Sequence, residues 1–297
     1  MPGRILKKSE SAVSSVVAAV LLLGIMVSVI TVINVSYIPE WRTGAEQAHM
    51  DEVFFDMSNL KSHIDILSAT VSGQPAGSIS TNVPIRAGGG SIPVVSPGKS
   101  GGMLSINMNE FSMRITASDS VVNNSSGAFL EDLGSITYRS DNSNFVDQEY
   151  GYENGALILA QGELSLMRQS PSIGIRKTDN STNITLDVNA IRIRGPVRSI
   201  SSNSIEEVYI TYDSSNTLYD NENLFSELTL NIETEYPRAW EMFFEGAVAD
   251  AGLEAGEYVL TSNASAVVIT IKGASGEDVK ANIRKNVFDV HLNVFEN

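Results

Sequence analysis

The hydrophobic pattern changes its period twice along the chain. Residues 12–35, AVSSVVAAVLLLGIMVSVITVINV, carry no charge. At 1.5 Å per residue this run spans about 36 Å as a helix, longer than a bilayer's hydrocarbon core of about 30 Å. Charges return from Glu40, and Met50, Val53, Met57, Leu60, Ile64, Leu67 and Val71 then recur in alternating steps of three and four. That spacing predicts a helix with one apolar seam, stopped by Gly73 and Pro75. The seam can be covered by the chain's own following domain or by a second subunit. Residues 73–102 are rich in Gly, Ser and Pro and read as a connection, with a short strand near Ile92–Val95.

From Met103 the period falls to two. Alternating runs occupy 104–108, 111–115, 135–139, 156–159, 163–167, 183–188, 190–193, 207–212, 227–233, 257–261, 265–271 and 279–294, many bounded by Asn, Ser, Asp or Gly. About ten short strands with turn signals between them predict an antiparallel β-sandwich-like domain, one face buried and one wet. Tyr236 to Gly252 interrupts them. Pro237 suits a first helical turn, Gly252 suits a stop, and Trp240, Phe243 and Phe244 share an apolar face. This segment is expected to be a short helix plugging the core. The fold class is therefore α+β. Its expected parts are a basic leader over 1–9, a transmembrane helix over 10–36, an extracellular amphipathic helix over 37–72, a connection over 73–102 and a β-rich domain over 103–297.

Arg4, Lys7 and Lys8 precede the uncharged run. The positive-inside rule then places the N-terminus in the cytoplasm and the body outside a single-pass cell membrane anchor. Tyr37 and Trp41 suit the outer membrane–water interface, and Pro39 marks a break there. A cleaved secretory signal has a shorter apolar region, of about 7–15 residues, followed by a small-x-small site. Residues 37–41, YIPEW, contain no such site.

Lys7-Lys8-Ser9-Glu10, followed by Ser11-Ala12-Val13-Ser14-Ser15-Val16-Val17 and the Leu21-Leu22-Leu23-Gly24-Ile25 run, resembles the N-terminus of archaeal type IV pilin-like proteins. The resemblance covers about forty residues. It implies cleavage by a prepilin peptidase on the cytoplasmic side, after one basic and one small residue. Lys8 would be the basic position, Ser9 the small one, and Glu10 the first residue of the mature chain. Ser9 departs from the commoner Gly or Ala. The resemblance further implies that the apolar helix is retained and packs with other pilin-like subunits in a filament. Ser14, Ser15, Ala18, Ala19, Gly24 and Ser28 offer the small residues that close helix approach needs. The Tyr236-Pro237-x-x-Trp240 pattern with its following Phe residues is similar to uncharacterised archaeal membrane-anchored pilin-like proteins.

Composition narrows the functions. Among 297 residues, 20 Lys and Arg stand against 35 Asp and Glu, a formal net charge of -15. This balance lacks the basic footprint of a nucleic-acid-binding body. With no cysteine there is no disulfide, thiolate metal site or cysteine nucleophile. The three histidines are spread out. His49 and His63 sit on the same side of the predicted helix, about 21 Å apart, and are expected at the surface. His291 reads as structural. Ser96–Gly102 fails the phosphate-loop pattern because Pro93 stands where the first glycine belongs. Asp213–Asn216 and Asp220–Asn223 have the composition of calcium loops without the spaced ligand set. The adjacent acidic pairs 131–132, 206–207 and 277–278 would face opposite sides of a strand. No catalytic, metal or cofactor residue emerges, and a non-enzymatic protein is expected. Candidate N-glycosylation sequons start at Asn123, Asn124, Asn180, Asn183 and Asn263, whereas Asn34 lies at the membrane boundary. The expected partners are membrane lipid, the peptidase, other pilin-like subunits, and surface layer or carbohydrate. The two readings are a pilin-like minor subunit and a permanently anchored binding or adhesion module.

Overall fold

The computed structural model describes residues 10–70, 75, 77, 79–91, 100–118, 129–178, 183–220, 224–273 and 278–292. The described residues open on one continuous rod: α1 (Glu10–Val32), a π-helical turn (Ile33–Tyr37) and α2 (Ile38–Thr70). Pro39 explains the wide turn. Proline has no N–H and its ring crowds the carbonyl four residues back, and the helix relaxes by pairing Ile38 N–H with the Ile33 carbonyl five residues back.

The body is strand-rich and folds into three sheets. The first runs in the order β1 (Ser80–Arg86), β12 (Ile205–Tyr219), β17 (Val279–Leu292), β10 (Ile184–Arg194), β9 (Ile173–Lys177), with β13 (Leu224–Phe225) also on β17. The second is β11 (Arg198–Ser202), β2 (Gly101–Ile106), β5 (Ile136–Asp141), β6 (Glu149–Glu153), β7 (Ala156–Gln161), β8 (Leu164–Gln169). The third is β15 (Tyr258–Ser262), β16 (Ala266–Lys272), β14 (Glu227–Glu233), β3 (Ser112–Ser118), β4 (Phe129–Asp132). The expected all-antiparallel layout needs one correction. β10 and β17 pair in parallel, with Ile184 opposite Val279 and Arg194 opposite Asp289. Alternation reports which face a residue occupies and is blind to strand direction.

Two hydrophobic cores share the first sheet. In β10, Ile184, Leu186, Val188 and Ala190 belong to one core, and Ile191 and Ile193 to the other. In β17, Val279, Ala281 and Ile283 face the first core, whereas Phe288, Val290 and Leu292 face the second. Each strand switches its buried face midway, and the register places the switches side by side, Ile191 opposite Asn286. The sequence pattern reads 183–188 and 190–193 as separate runs because of this switch.

The first core is closed by α3 (Pro237–Asp250), as the aromatic spacing predicts. Trp240 and Phe244 are fully buried, and Trp240 stacks on Phe111 at 5.8 Å between ring centroids. The second core is closed by α2. Met50, Val53, Met57, Leu60, Ile64 and Leu67 are all buried against the body, so the seam is covered within one chain; Val71 lies outside the described residues.

Several expectations change. The presumed connection 73–102 contains β1, and the strand proposed near Ile92–Val95 lies outside the described residues. Asp213–Asn216 lies inside β12, beside an irregularity between Tyr212 and Ser214, and is no loop. Of the second acidic stretch, only Asp220 is among the described residues. His49 is buried, not solvated. Strands β6, β9 and β11 are absent from the pattern reading: β6 and β9 carry only two alternating apolar residues each, Tyr150 and Tyr152, and Ile173 and Ile175, and β11 carries one, Ile200.

Ile64 is completely buried in the seam. Ile64→Ala is expected to cost about 2–5 kcal/mol by cavity formation. A urea titration of the full chain in detergent, followed by tryptophan fluorescence, checks this.

Candidate functional site

Two features stand out: the bare apolar helix and the joint that ties it to the body. The side chains of α1 are exposed from Ser15 onward, with Val16 at 63% and Ile25 at 66%. This helix is long and apolar enough to cross a membrane, and none of its most apolar window is buried within the chain. Its polar side chains turn inward onto their own helix. Ser28 Oγ donates to the Gly24 carbonyl, Thr31 Oγ1 to Val27 and Asn34 Nδ2 to Ile30, each at 2.8 Å. Such bonds are what a helix needs where no water is available. At its end Tyr37 and Trp41 pair at 6.0 Å between centroids, and both are about half exposed.

The joint lies about one to four turns further on. Glu46 continues the three-and-four spacing one step ahead of Met50, yet it is a buried carboxylate. It accepts backbone N–H bonds from Ser143 (3.2 Å), Asn144 (2.8 Å) and Phe145 (2.7 Å), plus the Asn144 side-chain amide. Burial alone would raise the Glu46 carboxyl, but the three backbone donors outweigh it and hold it below its usual range. One turn on, His49 meets the Tyr138 hydroxyl at 3.3 Å, and Tyr138 donates to the Ala87 carbonyl. Gly89 is required there, since a Cβ would stand 2.3 Å from the His49 ring. Burial is the main cause lowering the His49 imidazole. Further along, Asp56 takes a bidentate bond from the Arg86 side chain (2.9 and 2.7 Å) and another from its backbone N–H. Arg168 lies 4.8 Å over the Phe54 ring. The seam repeat, extended back to position 46, was the sequence signal for Glu46, and His49 and Asp56 each stand one position before a seam residue, Met50 and Met57; polar side chains on a buried face must find partners.

A cleft of about 390 Å³ opens between the second sheet and the start of α3, lined by Arg139, Glu149, Glu163, Glu235, Tyr236 and Arg238 among others. One face of β6 organises it. Glu149 Oε1 accepts from the Tyr236 hydroxyl and from Asn109 Nδ2, and Oε2 accepts from Arg139. Gly151 leaves room for the Tyr236 ring, where a Cβ would lie 2.5 Å from Cε2. Glu153, fully buried, accepts from Trp240 Nε1 and Thr234 Oγ1, both at 2.8 Å. The Tyr-Pro-x-x-Trp segment is thus held by alternate residues of one strand. Both oxygens of Glu149 and Oε2 of Glu153 are met by internal donors, while Glu153 Oε1 is left without a partner, and this network fastens α3. Burial pushes the Glu153 carboxyl up to about 8, against the opposing effect of its two donors.

The structure brings together none of the sequence-predicted site residues. Lys8, Ser9, Asn123, Asn124 and Asn180 lie outside the described residues, and Glu10 opens α1. Asn183 is exposed just before β10. Asn263 is exposed in the turn between β15 and β16, where its Oδ1 accepts from Ser265 and Ala266 N–H. Glu206 points inward and Glu207 outward, as expected for strand neighbours. Among the described residues, no group of three or more His, Asp or Glu side chains is placed to hold a metal ion.

Two outcomes follow. Glu46→Ala strands three backbone donors and is expected to cost about 2 kcal/mol, with faster hydrogen exchange at 143–145. For Glu153 the folded-state value of about 8 exceeds the ordinary glutamate value of 4.5. The stability it contributes is complete below about 4.5 and is lost as pH rises towards 8. The melting temperature should therefore show a fall across that window that Glu153→Gln removes.

No curated protein and no solved structure matches the chain. A family model matches residues 100–281, more than half of the chain, from the start of β2 into β17 and without the long N-terminal helix. The chain belongs to this family, which is described as a family of unknown function (DUF7289).

Proposed function

We propose that the protein is a pilin-like cell-surface protein with a cytoplasmic N-terminus and an extracellular body. A prepilin peptidase removes residues 1–9 between Ser9 and Glu10. The freed helix then joins other pilin-like subunits in a filament as a minor, non-enzymatic component, with its strands forming a sandwich-like outer domain. The observation that carries this reading is the division of labour along one rod. From Ser15 on the α1 half is exposed, and its most apolar window buries nothing within the chain, while the α2 half is clamped to the body by Glu46, His49, Asp56 and the seam. A rod of this kind passes any position taken by its apolar half directly to the body. The charged leader before an uncharged run sets the proposed orientation. Asn183 and Asn263, both exposed, are the sequons this reading offers for glycosylation outside the cell.

A second reading, a permanently anchored binding module for surface layer or carbohydrate, is favoured by an open polar groove at the far end of α2. The mature N-terminus separates the two. Mass spectrometry of protein from membranes and from sheared surface material is expected to find a chain starting at Glu10 in the sheared fraction. An intact start near Met1, confined to membranes, overturns the pilin mechanism.

A further inference from the structure

The face switch in β10 and β17 leaves a polar groove of about 470 Å³ between the last turns of α2 and the first sheet. Asp65 and Ser68 come from the helix, Asp187 and Asn189 from β10, Asn282 from β17, and Ser172 from the approach to β9. Pro171, Ile173 and Val188 add an apolar side.

The groove holds polar atoms that the chain itself does not satisfy. Ser68 is 3% exposed, and its hydroxyl has no hydrogen-bond partner. This is unusual for a helical serine, since Ser28, Ser58 and Ser62 all bond four residues back. Asp65 Oδ1 is likewise buried and unpartnered, although Oδ2 takes Lys61 at 2.7 Å. Behind the groove, Asn286 Nδ2 donates to Asn189 Oδ1 while its own Oδ1 is left over, and Asn154 Oδ1 accepts from Ile191 N–H while its Nδ2 is left over. Buried polar groups without partners in a native fold mark a missing companion.

The chemistry of that companion follows from the charges. Asp65 is already paired with Lys61, and Asp187 with Arg176 and Asn282. Arg284, the cation in the groove's lining, is engaged as well, so with all three charged residues engaged neither a cation nor an anion is called for. What remains is a mixture of donors (Ser68, Ser172, side-chain amides) and acceptors (Asp65 Oδ1, amide oxygens) over a small apolar wall. Vicinal hydroxyls, each of which donates and accepts, match such a surface, and the volume suits a small ligand. We infer that the groove between Asp65–Ser68 of α2 and Asp187–Asn189 of β10 binds a neutral, hydroxyl-rich ligand, one or two sugar rings of a glycan. Its role at the cell surface depends on the body lying outside the cell, as proposed above; the binding itself does not.

Saturation-transfer NMR tests this with the full chain in lipid nanodiscs and glucose, galactose, mannose and N-acetylglucosamine as probes. At least one sugar is expected to show transfer, and Ser68→Val and Asn282→Ala should each weaken it at least tenfold. Glu163→Gln, in the other cleft, should leave it unchanged. A thermal melt of each variant confirms that it is folded. No transfer to a folded chain, transfer indifferent to both groove variants, or a sugar-soaked crystal showing ordered water only would each overturn the inference. A chain that starts at Glu10 but binds no sugar sinks the groove alone. A chain that binds sugar but keeps Met1 sinks the pilin reading alone.

Discussion

The seam of α2 from Met50 to Leu67 is covered by strands of two different sheets, and this one burial sets where everything else stands. Without it, the helix would leave the body as a flexible stalk. With it, the second core becomes a layer shared by α2, the first sheet and the second. Packing of this kind is strong in aggregate but slides easily along a helix. The polar clamps remove that freedom. Glu46 engages three successive N–H groups and Asp56 a guanidinium fork, and both require a single axial position and rotation of the helix.

The same rod has two kinds of surface. From Ser15 to the π-helical turn its side chains face outward and are mostly apolar, and Ser28, Thr31 and Asn34 bond to their own backbone. Beyond Trp41 one face is buried in protein and the others are charged. Pro39 and the wide turn stand where the exposed apolar surface gives way to the packed one. The exposed Phe55 and Ile66 on the outer side of α2 are isolated apolar residues on an otherwise polar face.

In the body, the constraint with the widest consequences is the shared first sheet. Two cores on opposite faces oblige β10 and β17 to exchange buried and outer positions, at Ala190–Ile191 in β10 and between Ile283 and Phe288 in β17. At such an exchange no residue lies cleanly inside or outside. Asn154, Asn189 and Asn286 occupy that zone, and the groove opens beside it. The first core avoids this compromise because β6 supplies Glu149, Gly151 and Glu153 on one face to receive Tyr236 and Trp240.

The uncharged run, the α2 seam, the short helix at Pro237 and most long strands were legible from the sequence. Each is a local period in one dimension, and the energetics of burying one stripe or one face enforces it. Strand direction, the switch of faces, β1 inside a Gly- and Pro-rich stretch, and the burial of His49 were decided by the tertiary structure. So were the partners of Glu46, which lie 97 to 99 residues away in the chain. A carboxylate in a sequence shows its charge but not the donors that will surround it. Those donors come from distant segments, brought together only when the cores close.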